Sequence, residues 1–420
     1  VNPRPHQDLA LINAAGFLRS TGVGLMGVVL GIYLFREGRS SSAIGVVIAA
    51  GLAGSALATA IVSFAADHFG RKRSLLLLSL LSAIGGIALA RSPNLPVLVM
   101  MAFVGMLNAT GTDRSAAFAL DQAVLPGLVS DVRRTWTLAW YNVLLDGGGA
   151  LGALGAGVPI LLQHYRALSV LSSYRIVFVS YSGLCLLVGT LYLLLSPAIE
   201  IANPSTLAPL KTTIAPERKR IVAKLTALFS LDAFGGGFLT DALVAYWFFR
   251  RFGVAERDLG LVFFCVHILN ACSHLGAAWL ARRIGLVNTM VFTHLPSSLF
   301  LMAVPFAPSF KWAVLLFLCR EALVEMDVPT RQSYVAALMK PSERTFASGI
   351  TNLARNLFWA IGSGVAGVMM QVLTFSAPLL VGGGAKVTYD LLLYRSFRLL
   401  KPPEEVPEQA GAGGAEKRED

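Results

Sequence analysis

The chain has 420 residues, 55% of them hydrophobic and only 14% charged, with a mean hydropathy of +0.65. A soluble domain carries about a quarter charged residues, so this composition argues against an ordinary soluble enzyme and rules out a disordered chain, a collagen-like fibre and a disulfide scaffold. The net charge of +11 would point to nucleic acid in a soluble protein; here the basic residues have first to be placed against the apolar runs.

A bilayer-crossing helix needs about 20 mostly apolar residues. Such runs fall at 9–34, 42–66, 74–91, 95–119, 136–162, 174–196, 221–249, 259–281, 287–306, 311–337, 346–372 and 376–396, twelve in all. Gly382-Gly383-Gly384, Lys386 and Asp390 interrupt the last. The first run is too long for a cleavable signal peptide and lacks a basic leader, so no separate signal is expected. Bare backbone amides find no partner in hydrocarbon, so crossing segments are helices or a closed barrel. These runs are too long and too uniformly apolar for alternating barrel strands. The predicted fold is a polytopic helical bundle, and an even number of spans puts both termini on one side.

Loop Lys and Arg set the orientation. Arg71-Lys72-Arg73, Arg133-Arg134, Lys211, Arg218-Lys219-Arg220, Lys224, Arg282-Arg283, Lys340 and Arg344 share one side with both termini. The opposite loops are about half as basic, so the termini are expected in the cytoplasm. The net charge is then largely a topology signal, with a weak attraction to anionic lipid and no need for nucleic acid. The stretch 197–220 carries Pro204, Pro209, Pro216 and a basic cluster. It reads as a cytoplasmic linker between two six-helix halves, 1–196 and 221–400. The tail 401–420, rich in Glu, Gly and Ala, is expected to be disordered. Asp121–Val158 aligned with Arg331–Val368 gives ten identities in 38 positions. At an offset near 215, Tyr33–Arg36 lies over Trp247–Arg250 and Gly70 over Gly285. Two blocks in one order around one linker indicate a duplicated architecture, which suits alternating access about a midplane site.

Between the second and third spans the chain reads Ser63-Phe64-Ala65-Ala66-Asp67-His68-Phe69-Gly70-Arg71-Lys72-Arg73. Asp67 ends a helix, Gly70 allows a tight reversal, and the basic run stays outside the membrane. This resembles the loop motif of the major facilitator superfamily, G-x-x-x-D-R-x-G-R-[RK]. Asp67, Gly70, Arg71 and Lys72 match, while Ser63 replaces the Gly and His68 the Arg. The second-half loop keeps Gly285 but has Arg282 in the place of the Asp. The resemblance implies an all-α membrane protein of twelve transmembrane helices in two pseudo-symmetric six-helix bundles, with a central cavity and alternating access. Asp121, Pro126 and Arg134, with Arg331, Pro341 and Arg344 in the second half, are similar to the family's residues after its fourth and tenth spans. The resemblance implies a cytoplasmic gate of Asp67, Gly70, Arg71, Asp121, Arg134, Arg331 and Arg344, latched in the outward-facing state. Plain membrane anchoring is the alternative for the basic members.

A charge at mid-bilayer costs at least ~2.5–3.5 kcal/mol and usually lines a cavity or has a partner. Arg19, Asp146, Asp232 and Glu325 lie near the midplane by their depth in the spans. Together with Arg114, Glu321, Arg355 and Lys386 they are the candidate proton and substrate pathway. On a continuous helix Arg320, Asp327 and Arg331 share one face and Glu321 and Glu325 another. That leaves two carboxylates without a local base, a pair suited to holding a proton. A structural salt bridge to Arg19 or Arg355 is the competing reading. Lys386 and Asp390, four apart, are placed to pair along one face. Asp232 and Asp241 lie on opposite faces unless Gly235-Gly236-Gly237 breaks the helix. Asp113 and Arg114 point apart, each toward its own partner.

Cys265, His267, Cys272 and His274 carry no plausible metal spacing, since seven helical residues rise about 10.5 Å. The four cysteines all lie within apolar runs, so no disulfide framework is expected. Gly147-Gly148-Gly149, Gly152, Gly155 and Gly157 allow close helix packing. The family's Gly-Pro pair is missing, because Val158 precedes Pro159. No G-x-x-x-x-G-K-[ST] loop occurs, so this chain does not read as ATP-driven. The expected activity is therefore proton-coupled efflux of a small organic molecule, by antiport in the cytoplasmic (plasma or inner) membrane. Uptake of an organic anion through Arg19, Arg114 or Lys386 is the transport alternative, and a non-transporting sensor is the rival class. Neither enzyme activity, cofactor nor metal is expected, and a monomer is.

Overall fold

The computed structural model describes residues 5–91, 94–200, 216–339 and 341–400. Its helices are α1 (Pro5–Arg36), α2 (Ser41–Phe69), α3 (Arg71–Arg91), α4 (Leu95–Val104), α5 (Ala116–Val124), α6 (Asp131–Leu154), α7 (Val158–Arg166) and α8 (Val170–Leu193). Then follow α9 (Pro216–Gly237), α10 (Asp241–Phe252), α11 (Glu256–Ile284), α12 (Leu286–Ala303), α13 (Phe310–Val324), α14 (Asp327–Leu338), α15 (Pro341–Val372) and α16 (Ala377–Phe397). Most of the expected linker and the tail lie outside the described residues, and α9 begins inside the stretch read as linker.

Nine helical segments among the described residues are long and apolar enough to cross a bilayer. The other three expected passes have physical reasons for falling short. The fourth is split into α4 and α5, and the tenth into α13 and α14. The twelfth, α16, has buried Lys386 and Asp390 within it. Leu57, Ile61, Leu80, Leu193, Leu261, Phe292 and Leu299 are exposed on the outer surface. Exposed apolar side chains in this number fit a lipid-facing belt.

The sequence repeat is also a repeat of backbone geometry. Gly70 after α2 and Gly285 after α11 have φ of 107° and 86°, where a side chain would be strained. Each donates its N–H to a helix carbonyl, Ala66 and Ala281, and accepts from the hydroxyl of Ser74 or Thr289. Gly38 and Gly253, which follow α1 and α10, likewise take positive φ.

Buried apolar residues form three clusters that report how the halves sit. One contains residues of both halves, among them Tyr33, Ile44, Ile48, Ala153, Phe238, Trp247 and Phe263. The second is confined to residues 12–199 and the third to residues 222–397. The halves thus share one core at the end away from the termini and keep separate cores at the terminal end.

Small residues make the shared end possible. A Cβ on Gly45 would lie 2.7 Å from Gly367 Cα, and one on Gly31 would lie 2.4 Å from Ala242 O. Polar contacts close the same seam. The Ser41 and Tyr246 hydroxyls are 2.9 Å apart, and Ser42 N donates to Gln371 Oε1 at 3.2 Å. Arg36, at the end of α1, reaches Glu256 at the start of α11 at 2.5 Å, and the Tyr174 hydroxyl donates to the same carboxylate oxygen.

Candidate functional site

The polar interior is built where helices break. Residues 105–115 leave the helix between α4 and α5, with Met106 and Gly111 at φ of 50° and 85°. Asn108 holds this loop: its Nδ2 donates to Thr112 O at 2.9 Å, and its Oδ1 accepts from Thr110 N at 2.9 Å. Non-helical backbone at membrane depth persists where side chains satisfy it or it lines a cavity. The break of the seventh pass meets this loop, as Ala242 N donates to Ala109 O at 3.2 Å. A Cβ on Gly111 would lie 1.8 Å from Asp241 Oδ2, so the close approach requires glycine.

The loop sends Asp113 and Arg114 to different halves. Asp113 accepts from Arg19 Nε at 2.5 Å, and Arg19 Nη2 reaches Asp121 Oδ2 at 2.8 Å. The Tyr141 hydroxyl donates to the same Asp121 oxygen at 2.6 Å, and Tyr192 accepts from Arg19. One guanidinium therefore serves two carboxylates inside the first half. Arg114 instead crosses to the second half, where Nη2 lies 3.5 Å from Glu325 Oε2 and the guanidinium sits 4.9 Å from the centre of the Trp359 ring.

The second half holds the opposite arrangement, one carboxylate among several bases. Asp232 accepts from Lys386 Nζ at 2.7 Å and from Arg355 Nη1 at 2.8 Å. Arg331 Nη1 and His294 Nε2 stand 3.7 and 3.6 Å away. Arg331 is paired with Asp327, and His294 Nδ1 with Asp390 at 2.9 Å. Arg19 on α1 and Asp232 on α9 thus centre two hubs of opposite charge arrangement, one in each half.

Between the halves lies a cavity of ≈ 70 Å³. The first half contributes Thr110, Thr112 and Arg114, and the second contributes the Asp232 hub, Glu321, Glu325 and Asp241. Lining it also are His267 and Asn270, both buried. Both His267 ring nitrogens, Asn270 Oδ1 and Trp359 Nε1 have no hydrogen-bond partner among the described residues. Asp146 Oδ2 is buried and likewise unpartnered by a hydrogen bond, with His274 Nε2 3.9 Å away.

Several expectations need correction. Glu321 and Glu325 are not a carboxylate pair without a base. The helix ends at Val324, so the continuous wheel fails; Glu321 contacts Arg320 and Glu325 faces Arg114. Arg19 and Arg355 are engaged elsewhere. Lys386 and Asp390 bind Asp232 and His294 respectively, because those partners project from neighbouring helices. Asp121 and Arg331, expected at the cytoplasmic gate, are buried in the two hubs, since in each a hub partner on α1 or α9 reaches in. Asp67 and Arg71 do meet, at 2.7 Å across the Gly70 turn. Arg134 Nε donates to Pro126 O at 3.0 Å. The Arg344 side chain lies outside the described residues.

Other participants escaped the sequence reading. Glu200 accepts from the N–H groups of Arg71 at 2.8 Å and Lys72 at 3.1 Å, capping α3. His294, Trp359, Tyr141, Tyr192 and Glu256 are single polar or aromatic residues in apolar or loop sequence, and only the fold brings their partners together. The polar run Asn108–Arg114 inside an apolar span was the one available signal for the break.

The Major Facilitator Superfamily sequence profile matches residues 12–324 and 233–419. The uncharacterised membrane protein YJR124C of Saccharomyces cerevisiae is 25% identical over 421 residues, covering 93% of this chain and 94% of its own. A mutant of the nucleoside transporter NupG is similar with a TM-score of 0.74 at 15% identity, over 93% of this chain and 100% of that one. The inward-open xylose transporter XylE from E. coli gives 0.69 at 15%, over 93% and 96%. The human organic anion transporter MFSD10 gives 0.62 at 17%, over 93% and 100%. This chain is a multi-pass membrane protein with a transporter fold, and it belongs to the Major Facilitator Superfamily.

Proposed function

We propose that the protein is a proton-coupled secondary transporter that moves a small organic solute through the central cavity by alternating access, exporting it in exchange for protons. The carrying observation is the Arg114–Glu325 pair, which crosses between the halves at the cavity wall with 3.5 Å between its charges. A proton on Glu325 removes that attraction, so proton occupancy and the setting of the halves act on one contact. A solute that needs ionised Glu325 or Asp146 competes with the proton there, which is the requirement for exchange. Arg19, Asp121 and Arg331 serve as hub residues holding each bundle rigid during the motion. Asp67, Gly70, Arg71 and Arg134, with Arg344, belong to the cytoplasmic gate.

The organisation that goes with this reading is two bundles, 1–196 and 221–400, joined by a cytoplasmic linker at 197–220. Twelve passes, counting the three interrupted ones, place the termini on the cytoplasmic side of the plasma or inner membrane. The protein acts as a monomer without cofactor, metal or nucleic acid.

A second reading, carriage of an organic anion, is favoured by the two cations that converge on Asp232. Both are tested in proteoliposomes loaded or bathed with a mixture of organic acids, amines and neutral polyols, with lumenal contents read by mass spectrometry under an imposed pH gradient. The expected result is movement of a solute whose direction follows the gradient. Movement indifferent to the gradient removes the proton part. Contents identical to protein-free vesicles remove the transporter reading.

A further inference from the structure

Resting on the transporter reading and its anion alternative, we infer that the cargo carries a carboxylate, seated between Lys386, Arg355 and the Trp359 indole N–H against the bare Cα of Gly236. Charge is the first reason. Lys386 and Arg355, both buried, converge at 2.7 and 2.8 Å on one carboxylate, that of Asp232. Arg331 has Asp327 of its own, and Asp390 lies on the other ring nitrogen of His294, away from Lys386. Five basic and five acidic side chains balance over the cavity lining as a whole, but at this spot two cations meet one carboxylate. A cationic cargo would meet two like charges at this place.

An unpartnered donor is the second reason. Trp359 Nε1 is buried, lines the cavity and has no acceptor among the described residues. A buried N–H without a partner costs free energy unless a ligand accepts from it. Gly236 is the third. A Cβ there would stand 3.7 Å from Trp359 Nε1 and 3.8 Å from Lys386 Nζ, so both donors face the surface that the missing side chain leaves open. An indole N–H beside an ammonium and a guanidinium matches the acceptor-only chemistry of an ionised carboxylate.

Asp232 is the occupant the cargo displaces. Its carboxylate already has Arg331 at 3.7 Å and His294 at 3.6 Å. When Lys386 and Arg355 turn to the cargo, Asp232 keeps these two neighbours, which it shares with Asp327 and Asp390. Binding then exchanges one carboxylate for another and keeps the desolvation cost low.

The test uses the purified full chain in detergent and probes matched by skeleton: the carboxylate, primary amide and amine of each of several aliphatic and aromatic frames. Thermal stabilisation is expected from carboxylate members. Trp359→Phe keeps the ring beneath Arg114 and removes only the N–H. It should melt like wild type without probe and weaken carboxylate affinity by about tenfold. Gly236→Val should abolish binding, and Trp312→Phe, at an exposed tryptophan outside the cavity, should leave it unchanged. Stabilisation led by amines or amides overturns the inference. So does the lack of any stabilising carboxylate, or wild-type affinity in Trp359→Phe. Vesicle flux separates the two levels. Carboxylates that bind without being carried support the seat and defeat the transporter reading, whereas carried amines defeat the seat and leave transport standing.

Discussion

Glu256→Gln removes an ion pair that ties the halves together at their shared end. Glu256 is buried, whereas the side chain of its partner Arg36 is 30% exposed. Breaking a fully buried pair costs about 3–5 kcal/mol, and an exposed pair contributes 1 kcal/mol or less. An intermediate figure of about 2 kcal/mol shifts a two-state equilibrium by roughly thirtyfold toward separation of that end. Gln keeps the volume and can still accept from the Tyr174 hydroxyl, so the change is mainly one of charge. The reporter is a cysteine in place of Ser41, whose hydroxyl lies 2.9 Å from that of Tyr246 across the seam. Thiol labelling of Ser41→Cys should accelerate by roughly that factor when Glu256→Gln is added. An unchanged rate, with the protein folded, would show that the pair does not hold the seam and that the shared core alone closes it.

Gly45→Val places side-chain atoms against Gly367 Cα and Ser363 O, 2.7 and 2.9 Å from the new Cβ. Since both are backbone, the seam must yield, at a cost of about 1–3 kcal/mol; faster labelling at Ser41→Cys is expected, and an unaltered rate would mean that these helices have slack. Arg19→Met leaves Asp113 and Asp121 buried without their base and should cost about 3–5 kcal/mol in melting experiments. Tyr192→Phe, which removes one hydrogen bond, should cost about 1 kcal/mol; equal losses in the two variants would show that Arg19 is not the hub. Glu325→Gln should retain the fold and lose gradient-driven solute movement, and retained coupling counts against its role. Asp67→Asn, at a side chain 31% exposed, should cost less than about 1 kcal/mol in stability and change transport rate more than solute affinity; an equal change in both would count against a gating role.

The membrane-spanning architecture was legible because a bilayer allows so few solutions. Long apolar runs must be helices, and the glycines at 70 and 285 mark the same reversal in both halves. Charge pairing was not legible, for a physical reason. Helical-wheel geometry holds only along an unbroken helix, and the tenth pass stops at Val324, just before Glu325. Lys386 and Asp390 share a face as expected, yet each finds a stronger partner on another helix. Asp121 and Arg331 sit near the motif positions that resemble gate residues, but their partners on α1 and α9 lie in distant sequence. Glu200 follows an apolar span in a polar stretch, and nothing local marks it as the cap of α3.

Alternation between the two ends is most directly measured by paired spin labels in a background with Cys185, Cys265, Cys272 and Cys319 replaced. One pair, at Ser40 and Arg257, spans the shared end; the other, at His68 and Arg283, spans the terminal end. In lipid, across pH and with added solute, the two distances should change in opposite directions, one lengthening as the other shortens. Distances that stay fixed, or that lengthen and shorten together, would contradict transport by rocking of the halves about the central cavity.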